Sequence, residues 1–259
     1  MIDIGPPPKF PRPAIIRPRP AEIIRPGDPC FVVPNERRDA MFMLTQLVGF
    51  GAANDSVSSV SVVGTYSSTS SSDLTTYTFS SVSGISGQTH LFIIVSCRGA
   101  AARTVSSITV DGNSATLVKA QANGFQSVEI WAIAESSSNP TIVVTWSGGC
   151  SNMALGLVAC TGINSLTAIA SASVTTDAGS IACNSNAGGI AIGGAVNTNS
   201  GSNSCTWTGL ANEMYDTALE TSFVHSAAYE LTASAESPRA MNADWSSFTS
   251  GAAVAATFR

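Results

Sequence analysis

Charged residues, histidine and closely paired cysteines are all scarce in this 259-residue chain. Only 11% of the residues are charged, against roughly 25% in an average soluble protein. The six cysteines are scattered without a CxxC pair, which excludes the usual zinc spacing. Without a zinc pattern, we expect no metal and no cofactor. Because charged residues are few, the polar surface must come from Ser, Thr, Asn and Gly, a balance that suits an all-β protein.

Patterns of catalytic residues are also missing. The two histidines, His90 and His225, are each predicted to be strand residues rather than general bases. Tyr215 and Asp216 lie near His225 in sequence, but no GxSxG motif supports a Ser/His/Asp triad. Asp216 and Glu220 are the nearest candidates for a carboxylate pair, and no spacing rule selects them. We therefore predict that the protein is not an enzyme.

Proline is nearly absent after residue 34, because ten of the twelve prolines lie within residues 1–34. Proline fixes φ and lacks an N–H donor, so this segment is predicted to be an extended arm with a reach on the order of 100 Å. Ile15-Ile16 and Ile23-Ile24 interrupt it within a near-repeat. These pairs have no local core to enter, so they are predicted to bind another chain. The alternative is a disordered tail.

Nucleic acid and membrane are not expected as partners. Residues 1–40 carry seven Lys/Arg interspersed with five Asp/Glu, which is too weak a charge for a convincing nucleic-acid tail. The most apolar stretch, Ala40–Ala53, is too short to span a bilayer. The first residues also lack the charged and apolar regions of a signal peptide.

Residues 35–54 are predicted to form one short helix and a connector. Asn35 suits the N-cap, Met41 and Leu44 begin an apolar series at helical spacing, and Gly49 can end the helix. The apolar side of this helix is a natural oligomer contact, whereas Phe31 belongs with the isoleucine pairs as an apolar anchor of the arm. The helix can equally dock on its own domain.

The cysteines admit two interpretations. Plain buried thiols are one, because free cysteine is often buried. Disulfides formed in an oxidising medium are the other. Cys30 is singled out because it lies in the arm, where it is a candidate for a covalent link to a neighbouring protein. The alternative for Cys30 is a free thiol packed with Phe31 and Val32.

Residues 55–259 are predicted to form an antiparallel β-sandwich of the jelly-roll type, in which short strands follow each other with turn residues at regular spacing. The predicted strands are 57–66, 75–82, 89–97, 104–110, 115–120, 127–134, 141–146, 154–160, 168–174, 189–196, 205–207, 222–230, 240–245 and 253–258. The clearest local signal is Asp111-Gly112 between alternating segments, which indicates a tight hairpin turn. Gly193-Gly194 stands in a strand-like context rather than before a helix, which argues against a phosphate-binding loop. The four tryptophans are predicted to be mostly core residues.

Several segments between Tyr77 and the C-terminus resemble a family of β-sandwich proteins from the structural-gene regions of phages, especially phages of alphaproteobacteria. They are THLFIIVSCRGAAARTVSSITVDGNSATLV (89–118), VEIWAIA (128–134), TIVVTWSG (141–148), LVACTGI (157–163) and TWTGLANEMYDTALETSFVHSAAYE (206–230). The resemblance covers roughly 180 residues. The proline-rich arm is not part of the shared pattern.

The resemblance implies a structural protein of the virion, of the capsid-decoration, minor-capsid or neck/collar type. The expected partners are other virion proteins, namely the major capsid protein or portal, neck or tail proteins, and further copies of the chain, with a homotrimer as the first choice. The protein would be assembled in the host cytoplasm and later become extracellular in the particle. The alternative is a jelly-roll module of a tail or fibre that binds a receptor or host polysaccharide.

Overall fold

The computed structural model describes residues 59–80, 82–198, 203–219 and 223–259. These residues form antiparallel β-sheets and include no helix, which confirms the all-β prediction. The predicted arm (1–34) and short helix (35–54) lie outside the described residues. The strands are β1 Ser61–Ser70, β2 Leu74–Phe79, β3 His90–Gly99, β4 Val105–Val110, β5 Asn113–Ser114, β6 Thr116–Asn123, β7 Gln126–Ala134, β8 Ile142–Thr161, β9 Ala170–Val174, β10 Ile181–Ser185, β11 Gly189–Thr198, β12 Cys205–Thr208, β13 Asn212–Leu219, β14 Phe223–Thr232, β15 Glu236–Trp245 and β16 Ser250–Phe258.

Strands β1–β8 form the first half of the body, and β8 belongs to two sheets at once. Residues 142–146 of β8 pair with β2 on one side and β4 on the other, which with β5 gives an outer sheet. Residues 153–160 of β8 pair with β1 and β3, and β7 and β6 extend this inner sheet in the order β1-β8-β3-β7-β6. The outer sheet packs over one face of the inner sheet.

Strands β9–β16 form the second half and repeat these pairings, except that β5 has no counterpart. The inner sheet has the order β9-β16-β11-β14-β13 and the outer sheet the order β10-β15-β12. Strands β15 and β16 therefore take the places of the two parts of β8, and β9 to β12 those of β1 to β4. A β-bulge interrupts β6 at Val118 and its counterpart β13 at Met214. The body is thus built from two units of the same topology.

The two inner sheets pack face to face in a self-complementary way. Strand β3 packs on β11 at the centre, β7 on β16, and β8 on β14. At the edges β6 packs on β9 and β1 on β13, so each edge strand of one half meets the opposite edge strand of the other half. This exchange of equivalent contacts is the relation found in a twofold-symmetric dimer.

Three apolar clusters separate the four sheet layers. One fills the space between the sheets of the first half, one fills that of the second half, and the third lies between the two inner sheets. Strand β3 serves two clusters by alternation, because Leu91 and Ile93 point into the first half while Phe92 and Ile94 point at the second. The inner strands are therefore buried on both faces.

The predicted and observed strands agree at most positions and differ mainly at β8, β10 and β13. Asp111 and Gly112 have φ of 47° and 86° and join β4 to β5, as the hairpin prediction required. The predicted segments 141–146 and 154–160 are one continuous strand, β8. Strands β10 and β13 were missed, because their Asn, Ser and acidic residues give little strand propensity.

Gly193 and Gly194 lie in the middle of β11 and make close packing possible on both of its faces. A Cβ at Gly193 would meet the rings of Trp207 and the side chain of Leu210. A Cβ at Gly194 would collide with Ile94 of the first half. The glycine pair is therefore a packing requirement of a strand that lies between two cores.

We predict that Gly194→Val lowers the free energy of unfolding by about 1–3 kcal/mol, because the added methyl groups force the inner sheets apart. Ala182→Val is the matched control, since Ala182 is exposed on β10 and should change stability by less than about 0.5 kcal/mol. Denaturant unfolding monitored by tryptophan fluorescence measures both. Equal stability of the two variants would contradict the packing.

Candidate functional site

A buried Ser–His pair links the two halves near one end of the interface. Ser96 lies on the face of β3 that points to the second half, and His225 lies on β14 opposite it. The Ser96 Oγ is 2.6 Å from the His225 Nδ1, and both residues are fully buried. Because 129 positions separate them in sequence, sequence reasoning did not bring them together.

Burial controls the protonation of His225. It lowers the pKa of the imidazole to about 3, since a charged ring would lose its hydration. The Nε2 atom makes no hydrogen bond to another described residue. Tyr215 is also buried beside Ser96, and burial raises the pKa of its phenol. The Arg98 guanidinium lies over the ring of Phe223, which is on the same strand as His225, with its central carbon 4.4 Å from the ring centroid.

The pair does not extend into a catalytic triad among the described residues. Asp216, the sequence-predicted acid, accepts a 2.8 Å hydrogen bond from the Cys205 backbone N–H instead of orienting His225. Glu220 lies outside the described residues. A neutral imidazole sealed between two sheets has no path to a substrate, so the geometry supports a structural tie between the halves.

Polar side chains continue from this pair to the end of the interface. Gln126, Arg98 and Asn152 are directly opposite each other on β7, β3 and β8. Gln126 and Asn152 are buried, and the strand register puts their side chains on the same face of the inner sheet as Ser96, toward the second half. Neither amide atom of Asn152 has a hydrogen-bond partner among the described residues, so this end of the interface is polar but is not tied together by bonds from Asn152.

Glu129 is a second buried ionisable group that the sequence did not single out. Its two carboxyl oxygens accept 2.8 Å hydrogen bonds from the Val105 backbone N–H and the Trp131 indole N–H. Burial raises its pKa. These bonds fix the start of β4 to β7 inside the first half.

The sequence-predicted site residues fall into two groups. Those in the arm and helix lie outside the described residues, namely Ile15, Ile16, Ile23, Ile24, Cys30, Phe31, Met41 and Leu44. The tryptophans confirm the core prediction, because Trp131, Trp146 and Trp245 are buried and Trp207 is half-buried. Among the described residues, no cluster of His, Cys, Asp or Glu suits a metal ion.

One of the surface clefts among the described residues lies beside β6. It has a volume of about 440 Å³ and lies between β6 and the segment that leads into β9. Leu117, Leu166 and Ala168 contribute its apolar wall, and Thr116, Thr167 and Ser171 its hydroxyl groups. Leu117 is 47% exposed.

In the described part of the chain, no helix is long and apolar enough to cross a membrane.

Comparison with known proteins gave no relative for this chain: no protein-family model, no curated protein and no solved structure matches it.

We predict that His225 makes the protein acid-sensitive. The pKa of His225 is about 3 in the folded state and about 6.5 in the unfolded state. Stability from the neutral ring is therefore complete above pH 6.5 and is lost as the pH falls toward 3, by at most about 1.4 kcal/mol per pH unit. His225→Phe should flatten this part of the curve of unfolding free energy against pH.

His90→Asn is the matched control, because His90 lies at the start of β3 and is only partly buried. It should retain most of the wild-type slope. Chemical denaturation at a series of pH values between about 3.5 and 7.5 measures the three proteins. A wild-type slope in His225→Phe would mean that other groups cause the acid sensitivity.

Proposed function

We propose that this protein is a non-enzymatic structural component of a bacteriophage particle, of the decoration, minor-capsid or neck/collar type. The observation that carries the proposal is the stack of two equivalent β-units joined through their inner sheets. Such a body presents two outer sheets and several loops to neighbours. The proposal agrees with the resemblance of residues 77–259 to phage β-sandwich proteins.

The strand pairing supports a jelly roll in each half. Counting the two parts of β8 separately, the first strand pairs with the last, the second with the next to last, and the third with β7. Strand β5 pairs with β4 before the chain crosses to β6. Pairing from the ends inward is what a rolled-up hairpin gives, and double-sheet jelly rolls recur in viral capsid proteins and in lectins.

The outer surface suits repeated side-by-side contacts. The outward positions of the outer sheets are rich in hydroxyl groups and poor in charge, for example Thr76 and Thr78 on β2, Ser107 on β4, and Thr206 and Thr208 on β12. Neutral hydroxyl-bearing strands can approach a like surface without charge repulsion. Many weak contacts of this kind, repeated in a symmetric lattice, give strong retention.

The N-terminal arm supplies the attachment in this proposal. Its prolines keep it extended, and its isoleucine pairs bury themselves in a sister subunit or in a shell, neck or tail protein. Burial of an isoleucine stabilises such a contact by roughly 1.5–3 kcal/mol. The short helix adds a contact between copies, and a trimer is the proposed oligomer. The complete protein then resides in the virion.

We predict that removal of residues 1–34 separates folding from assembly. The truncated chain should keep a cooperative thermal transition and lose incorporation into particles, because the body provides its own cores. Particle-bound protein after sedimentation, measured by quantitative mass spectrometry, gives incorporation. Normal incorporation of the truncated chain would overturn the role of the arm.

A finer variant tests the apolar anchors without shortening the chain. Replacing the two isoleucine pairs of the arm by serine should release the protein from particles on mild heating. Replacing the same four residues by valine is the control and should retain most of the binding. Equal retention of the serine and valine variants would mean that the arm is a passive spacer.

A second candidate function is binding of host polysaccharide by a tail or fibre module. The threonine-lined cleft beside β6 favours it, since jelly rolls also serve as lectins. Exposed tryptophan rings often stack on sugars, but Trp131, Trp146 and Trp245 are buried and form no such surface. Binding of the purified protein to host surface glycans, lost in Thr116→Val and Thr167→Val, would favour this function over the first.

A further inference from the structure

The corner between the outer and inner sheets occupies the same place in both halves. In the first half β8 turns this corner at Ser147–Gly149, and in the second half residues 246–249 connect β15 to β16. The end of β3 lies beside the corner of the first half, and the end of β11 lies beside the corner of the second half. In the second half a side chain ties the two together, because the Asn197 amide of β11 donates a 2.8 Å hydrogen bond to the Ser247 carbonyl.

Cys97 occupies the position in β3 that Asn197 occupies in β11, since both point into the core of their own half near the strand end. Its partner at the corner is Cys150. The two sulfur atoms are 2.9 Å apart and both residues are fully buried. This separation is shorter than non-bonded sulfur atoms ordinarily approach, and a disulfide bond measures about 2.05 Å.

We propose that Cys97 and Cys150 form a disulfide that ties β3 to the corner of β8, as the Asn197 hydrogen bond ties the second half. The reaction removes one proton and one electron from each thiol and forms one S–S bond. Glutathione disulfide, or another small disulfide, accepts the two electrons and becomes two thiols. The inference is independent of the proposed function, because it rests on the geometry of the first half alone.

The other described cysteines have no such partner. Cys160 points into the interface between the halves. Cys183 and Cys205 share the core of the second half, but β10 and β12 lie on opposite sides of β15. Two strand spacings alone separate them by about 9–10 Å, and they pair with Arg239 and Trp245 at different positions along β15, so they lie well beyond the roughly 7 Å that a disulfide can bridge. The proposal is therefore specific to one pair.

In the folded protein the bond can form only slowly. Thiol–disulfide exchange needs a thiolate, and burial raises the pKa of the Cys97 thiol far above its usual range. Once the core has closed, exchange requires local opening. The link joins residues 53 positions apart, so it restricts a long loop of the unfolded chain and stabilises the folded one.

The test uses the full-length chain, both refolded from the reduced, unfolded state in a glutathione redox buffer and incubated in folded form with glutathione disulfide. Alkylation in denaturant should then label four of the six thiols in the refolded sample, and peptide mapping should link Cys97 to Cys150. The oxidised protein should melt at a higher temperature than the reduced protein. The folded sample should react more slowly than the refolding one.

Two variants complete the test. Cys97→Ala should leave all its remaining thiols free and melt at the same temperature with and without reductant, whereas Cys160→Ala should still form the link. Six labelled thiols in both wild-type samples, a mixed disulfide with glutathione alone, or a link between any other pair would each overturn the proposal. Because the link is mapped in the wild-type protein, the test does not depend on the stability of either variant.

Discussion

The apolar contact between the two inner sheets is the interaction on which the rest of the body depends. Without it, each half would expose a full sheet face, including Phe92 and Ile94 of the first half and Ile192 and Val254 of the second. Exposed apolar faces of this size drive association. Within one chain the partner face is supplied by the other half, so the self-complementary contact of a dimer is formed intramolecularly.

This contact also explains the composition of the central strands. A strand that is buried on both faces has no solvent side and cannot show the usual alternation of apolar and polar residues. Strands β11 and β16 accordingly consist mainly of Gly, Ala, Val and Ile. Small residues allow the layers to approach closely, and the polar pair Ser96–His225 marks where the apolar part of the interface gives way to a polar end.

The sequence was sufficient for the all-β class, most strand positions, the Asp111-Gly112 turn and the burial of the tryptophans, because these depend on local pattern. It was insufficient for the duplication and the Ser96–His225 pair, which depend on how sheets stack. A signal for the duplication was present. Trp146 and Trp245 lie about one repeat apart, and each is soon followed by a run of small apolar residues. The side chains of the two halves otherwise differ so strongly that the sequence alone does not show the repeat.

The central claim is that two equivalent units form one cooperative body through their inner sheets. Differential scanning calorimetry of the full chain tests it most directly. We expect one transition in which the calorimetric and van't Hoff enthalpies agree, because neither half can unfold without exposing the face that stabilises the other. Two separable transitions, each with about half of the total enthalpy, would contradict it.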